Sequence, residues 1–220
     1  MQIRTKVDME AEFKNLWLRL TGRSDYRHLY DDLVRRYSEP HRAYHTLEHI
    51  EHGLWEFNTA VMIPSVHKLY PSREFIELAF WYHDAVYSTD PLIKDNEEKS
   101  AELLYSVMRE HTSYSDVIAT FTAELILATK HRTSPLFGYA KFLVDIDLAI
   151  LGQETCDFDR YEEQIREEYK DVPTIIFRER RKNILKSLLE RGPIYQTQYF
   201  MERYEAKARQ NLARSIRKLS

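Results

Sequence analysis

Residues 42 to 52 read RAYHTLEHIEH and hold three of the chain's 9 histidines. On a helix, His45, His49 and His52 fall at i, i+4 and i+7, on one face. Three aligned imidazoles are a solvated surface, a polar core, or part of a metal site completed from elsewhere in the chain. The sharpest further candidate is FWYHDAV. His83 has Ala79, Phe80, Val86 and Tyr87 at helical spacing, and Asp84 has Phe80, Trp81 and Tyr87. An ionised carboxylate in that company needs a cation or several hydrogen bonds. Adjacent side chains on a helix diverge by about 100°, so His83 and Asp84 would flank one ion in a cleft.

FLVDIDLAILG offers a third contribution. Asp145 and Asp147 lie two apart and cannot share a helix face, because two helical steps turn the chain by about 200°. Asp147 is ringed at three and four residues by Leu143, Val144, Ile150 and Leu151, whereas Asp145 has Lys141 at i−4. The reading is that Asp147 meets the cation and that Asp145 forms an ordinary ion pair with Lys141.

Long helices must position these groups. SDYRHLYDDLVRRYSEP spaces its apolar residues for one helical face, with Ser24 as N-cap and Pro40 near the end. Thr46 caps the next helix. PSREFIELAFWYHDAVY is apolar nearly all round and reads as a buried helix. KDNEEKSAELLYSVMREH opens on a capping-box pattern, Asp95 with Glu98. SDVIATFTAELILATKH, YAKFLVDIDLAILG (closed by Gly152), DFDRYEEQIREEYKDV and TIIFRERRKNILKSLLERG follow, then a highly charged helix from about Gln198. The expected architecture is all-α: one domain over residues 1–220 with about ten helices, the helix from about residue 196 being a possible appendage.

Composition bounds the function. A hydrophobic content of 43% with 30% charged residues is ordinary globular material, and only 5 Gly and 7 Pro leave little room for the turns of an all-β fold. The net charge of −3 supports neither a nucleic-acid nor an anionic-membrane partner. No apolar run approaches a membrane span, and the first 20 residues lack the apolar stretch of a secretory leader. The single cysteine, Cys156, excludes an internal disulfide and points to a reducing, cytoplasmic setting.

His49, His83-Asp84 and Asp147, spaced by 34 and 63 residues, resemble the H…HD…D pattern of the HD-domain metal-dependent phosphohydrolases. The wording is similar to one branch, the predicted metal-dependent HD phosphohydrolases, at RAYHTLEHI, FWYHDAVYSTD, KDNEEKSAELL, ILATKH, DIDLAILG, IREEYKDV and GPIYQT, which together span roughly residues 40 to 197. The resemblance implies an all-α fold holding one divalent metal (Mn, Fe, Co, Ni or Mg) through His49, His83, Asp84 and Asp147. It implies hydrolysis of a small phosphate ester, nucleotides among the candidates. The metal would acidify a water and polarise a phosphoryl oxygen, with no covalent protein intermediate.

Other residues take roles by position. Arg42 and His45 would contact substrate phosphate. Asp84, Glu97, Lys130 and His131 form the catalytic group, Glu97 as general acid or orienter of water. Bland readings stand beside these: Lys130 and His131 suit a helix C-terminus, and His52 is a packed or solvated side chain. Some HD nucleotidases carry a glutamate three residues after the HD aspartate, where this chain has Tyr87. Two alternatives are a non-catalytic metal or nucleotide sensor and a di-iron oxygenase. The oxygenase needs more histidines, and the residue after His131 is Arg132.

Overall fold

The computed structural model of the chain describes residues 8–90, 93, 95–131 and 137–220. Among them are eleven α-helices and no strand. The helices are α1 (Met9–Thr21), α2 (Arg27–Tyr37), α3 (Leu47–Val61), α4 (Pro64–Leu69), α5 (Glu74–Tyr82), α6 (Asn96–His111), α7 (Asp116–Leu127), α8 (Gly138–Asp147), α9 (Thr155–Glu168), α10 (Thr174–Glu190) and α11 (Gln198–Leu219). Short 3-10 turns extend α7 over Ala128–Lys130 and α8 over Leu148–Gly152. None of the described helices is long and apolar enough to cross a membrane.

The hydropathy pattern explains the layering. Every residue from Ile76 to Tyr82 is buried, so α5 is the central helix its apolar composition demands. It packs against α1, α3, α6, α7 and α8. Gly53 of α3 makes one of these contacts possible. A Cβ there would lie 2.0 Å from Cζ of Phe80, so only glycine lets α3 approach α5 this closely.

Local capping matches the sequence in some places and not in others. Thr46 accepts the Glu48 amide and Ser115 the Ile118 amide, as hydroxyl caps do. Tyr26, not Ser24, stands at the start of α2, without a side-chain cap. Asp95 makes no capping bond at α6. Its carboxylate pairs with Lys99, and Glu98 pairs with Lys130. Ion pairs thus take the place of the capping box, a local one for Asp95 and a tertiary one for Glu98.

The last helix is part of the core and not an appendage. Phe200, Ala208 and Leu212 are fully buried in the same apolar cluster as Phe13 and Trp81. Gly152 gives α11 its place, because a Cβ there would lie 2.4 Å from Cβ of Tyr204. Asp145 ties the start of α11 to α8. It is fully buried and accepts the amides of Gln196 (2.8 Å) and Thr197 (2.7 Å) and the Thr197 hydroxyl (2.6 Å). The expected Asp145–Lys141 ion pair is replaced by this anchor: α8 turns Asp145 inward toward chain that sequence spacing could not place beside it.

Candidate metal centre

Four polar side chains from three places in the chain converge at the centre of the fold. α3 carries His49 on its buried face. α5 ends at Tyr82, so His83 is its C-cap and Asp84 lies in the turn beyond. The pair therefore leaves the helix instead of sitting inside it, as its apolar flanks suggested. Asp147 is the last residue of α8.

The donor atoms are close together. Nε2 of His49 and of His83 are 3.1 Å apart. Asp84 Oδ2 lies 2.9 Å from His83 Nε2 and 3.7 Å from His49 Nε2. Asp147 Oδ1 lies 3.3 Å and 3.5 Å from the same two nitrogens. Ligands bonded at about 2.1 Å to one ion sit about 3.0–3.4 Å apart in octahedral or tetrahedral geometry. These spacings bracket that range, and His49, His83 and Asp147 form a group that could hold a metal ion.

Hydrogen bonding sets the orientation. His83 Nδ1 donates to the Phe80 carbonyl at 2.8 Å, which directs Nε2 into the cluster. With His83 Nδ1–H engaged by Phe80, two imidazole nitrogens at 3.1 Å share a single proton or both face a cation. Burial opposes a charge on His83, but Asp84 and Asp147 outweigh it and raise its pKa well above the usual value. Burial, with His83 as neighbour, holds His49 below its usual value although Asp147 favours the charged form. Burial alone would raise Asp147, yet hydrogen bonds from His131, His49 and His83 hold it well below the ordinary carboxylate range. Two half-buried carboxylates are thus held against two buried imidazoles, an arrangement that favours positive charge on the histidines or a cation among them.

His131 joins this group. Its Nε2 lies 2.8 Å from Asp147 Oδ2, and its backbone sits in the left-handed region at φ 53°. That conformation is costly for a residue with a Cβ and is held here by the surrounding structure. Lys130 is committed to Glu98. Glu97, half-buried in the first turn of α6, makes no hydrogen bond or ion pair among the described residues. Arg132 lies outside those residues.

The histidine stretch does not share one helical face, because α3 begins only at Leu47. His45 precedes the helix, His49 enters the cluster, and His52 faces Glu56 at 3.4 Å. His45 bridges two environments, with Nδ1 2.7 Å from Glu168 Oε2 and Nε2 3.9 Å from Asp84 Oδ2. It stacks on Tyr87 and lines a cavity of about 430 Å³ walled by Tyr87, Tyr161, Tyr169, Phe177 and Arg181.

Arg42 is engaged otherwise than expected. Its guanidinium is buried between the rings of Tyr37 and Tyr87. It donates to Glu39 and to the carbonyls of His45 (3.0 Å), Asp84 (2.8 Å) and Ala85 (3.3 Å). No arm is left for a phosphate; the residue positions the His83-Asp84 turn.

Glu168, within IREEYKDV, belongs to the site although no sequence motif singles it out. Its Oε1 accepts three consecutive amides, Ala43 and Tyr44 at 2.9 Å and His45 at 2.8 Å. Its Oε2 meets His45 Nδ1 and the Tyr87 hydroxyl. Burial opposes the anion, but His45 and the amides prevail and bring the pKa down to about 2. Successive amides closing on one oxygen form an anion nest, and here the anion belongs to the chain itself. Its sequence signal is one glutamate in a charged helix, which a solvated face explains equally well. Comparison of the chain with family models, with curated proteins and with solved structures returns no match.

Proposed function

We propose that the chain binds one divalent metal through His49, His83, Asp84 and Asp147 and hydrolyses a small phosphate ester. One observation carries the metal reading: two imidazole nitrogens and two carboxylate oxygens approach one another at 2.9–3.7 Å, one imidazole being locked by a backbone carbonyl. The mixed nitrogen and oxygen donors suit Mn, Fe, Co, Ni or Mg. When bound, the metal supplies a Lewis acid that acidifies water and polarises a phosphoryl oxygen. The phosphohydrolase reading is supported by the H…HD…D resemblance to HD-domain enzymes.

The chain's own residues supply the rest. His131 orients Asp147 through its 2.8 Å hydrogen bond. Glu168 fixes the loop 43–45 and the ring of His45, which sits between the metal donors and the aromatic cavity. That cavity takes the organic part of a small phosphorylated ligand. The single thiol fits a cytoplasmic, reducing setting.

Elemental analysis of the purified chain and of His83→Ala tests the metal. Near one equivalent is expected in the first and loss in the second, with helical circular dichroism retained. Full occupancy in His83→Ala would remove this site. A phosphate-release screen over nucleotides and sugar phosphates, with each metal added, then tests the hydrolase. Metal and nucleotide binding without phosphate release with any metal favours the sensor. Two irons per chain with an iron–oxo absorption favour the oxygenase.

A further inference from the structure

Tyr44 lies between the metal donors and the aromatic cavity. Its ring packs on His49 (4.8 Å between centroids), on His45 (5.0 Å) and on Tyr161 (4.5 Å). The residue is 9% exposed, and its hydroxyl oxygen is buried with no hydrogen-bond partner. Neighbouring tyrosines are not in that state. The Tyr161 hydroxyl receives Arg181 at 2.7 Å, and the Tyr87 hydroxyl donates to Glu168 at 3.2 Å. Fixing the loop does not explain the residue's hydroxyl, since the Tyr44 backbone amide already does that through Glu168.

A buried hydroxyl without a partner is unfavourable, and such groups are rare in folded chains. Phenylalanine would fill the same space without the cost. Retaining the oxygen on a ring packed against His45 and His49 is the pattern of a group whose partner arrives with a ligand. With a metal bound, the two carboxylates are its ligands, and Asp147 Oδ2 also meets His131. A phenol whose ring packs on His49, one of the metal donors, and whose O–H has no partner in the fold is suited to an oxygen of an anion that the metal holds.

We infer that the Tyr44 hydroxyl is a ligand-binding group, donating to a phosphate oxygen held at the metal centre. The inference rests on the metal reading above and deepens it by naming the protein's own donor to the phosphoryl group. Glu168 then acts one step further out, as a positioning residue that holds the Tyr44 backbone amide.

The test compares the full chain with Tyr44→Phe in three measurements, using inorganic phosphate as the probe. Metal titration comes first and is expected to be the same for both proteins. Calorimetric titration of phosphate into the metal-loaded proteins is expected to show about tenfold weaker binding by the variant, the effect of one hydrogen bond to a charged acceptor. The urea midpoint of the variant is expected to be equal to or above that of the parent. Equal phosphate affinity in the two proteins, or no phosphate binding by the metal-loaded parent, overturns the inference and leaves the metal site standing. A lowered urea midpoint also overturns it, since the hydroxyl then has a partner within the fold. If the parent takes up no metal, the metal reading fails and the inference falls with it.

Discussion

Glu168→Gln is the substitution through which the organisation of the site can be measured without turnover. The carboxylate side chain is fully buried and anchors the loop of His45 through three amides and one imidazole. Its pKa lies at about 2 in the fold against an ordinary 4.5. A lowered folded-state pKa gives stability that is present above the unfolded value and lost as pH falls through the folded one. The shift corresponds to on the order of 3 kcal/mol at pH 5.5, falling to about 2 kcal/mol at pH 3.5. Burial opposes the charge on His45, and Asp84 and Glu168 raise its pKa above the usual value, so the comparison measures the Glu168–His45 pair as a unit. Gln keeps the amide-accepting oxygen and removes the charge. Urea unfolding of the chelated chain, followed by circular dichroism, should show Glu168→Gln less stable by about 3 kcal/mol at pH 5.5, the gap closing by about 1 kcal/mol at pH 3.5. A gap below ~0.5 kcal/mol, the usual range for surface substitutions, or one that widens on acidification, would refute the nest as an anion site.

Asp145→Ala should cost about 2–4 kcal/mol of stability, because it strands buried amide donors at the start of α11, and should leave metal affinity within a few-fold. Asp147→Asn should do the reverse and lose most of the metal affinity; the opposite ranking in a metal titration would assign the wrong aspartate. Gly53→Ala should cost about 1–3 kcal/mol net of its better helix propensity, since its Cβ meets Phe80. It should also weaken metal binding, because Phe80 stacks on His83 and packs on His49; unchanged unfolding and metal curves would show that the contact relaxes freely. Arg42→Lys should lower stability by about 2 kcal/mol, as a lysine cannot serve three carbonyls and Glu39. Phosphate affinity of the metal-loaded variant should stay close to the parent's, and its collapse at unchanged stability would return Arg42 to the substrate.

Sequence periodicity determined what depends on local physics. Apolar spacing and the scarcity of glycine and proline carried the all-α class, and the apolar run around Phe80 marked α5 as the buried centre. Thr46 marked the start of α3, because a hydroxyl cap acts within three residues. His49, His83, Asp84 and Asp147 were legible as a set, since ionisable groups inside apolar helices need a partner and their spacing resembles a known pattern. Which helix faces met, and what each polar group found there, was decided only by tertiary structure. Neighbours at three and four residues offer Asp145 only Lys141, whereas its actual partners lie 51 and 52 residues away. The place of Arg42 just before the histidines suggests a phosphate contact; the fold instead wraps it in three carbonyls. Glu168 meets amides 123 to 125 positions earlier, beyond any periodicity argument. Helical spacing encodes a side chain's direction, but a hydrogen bond depends on a second chain segment brought within about 3 Å, and only packing supplies that.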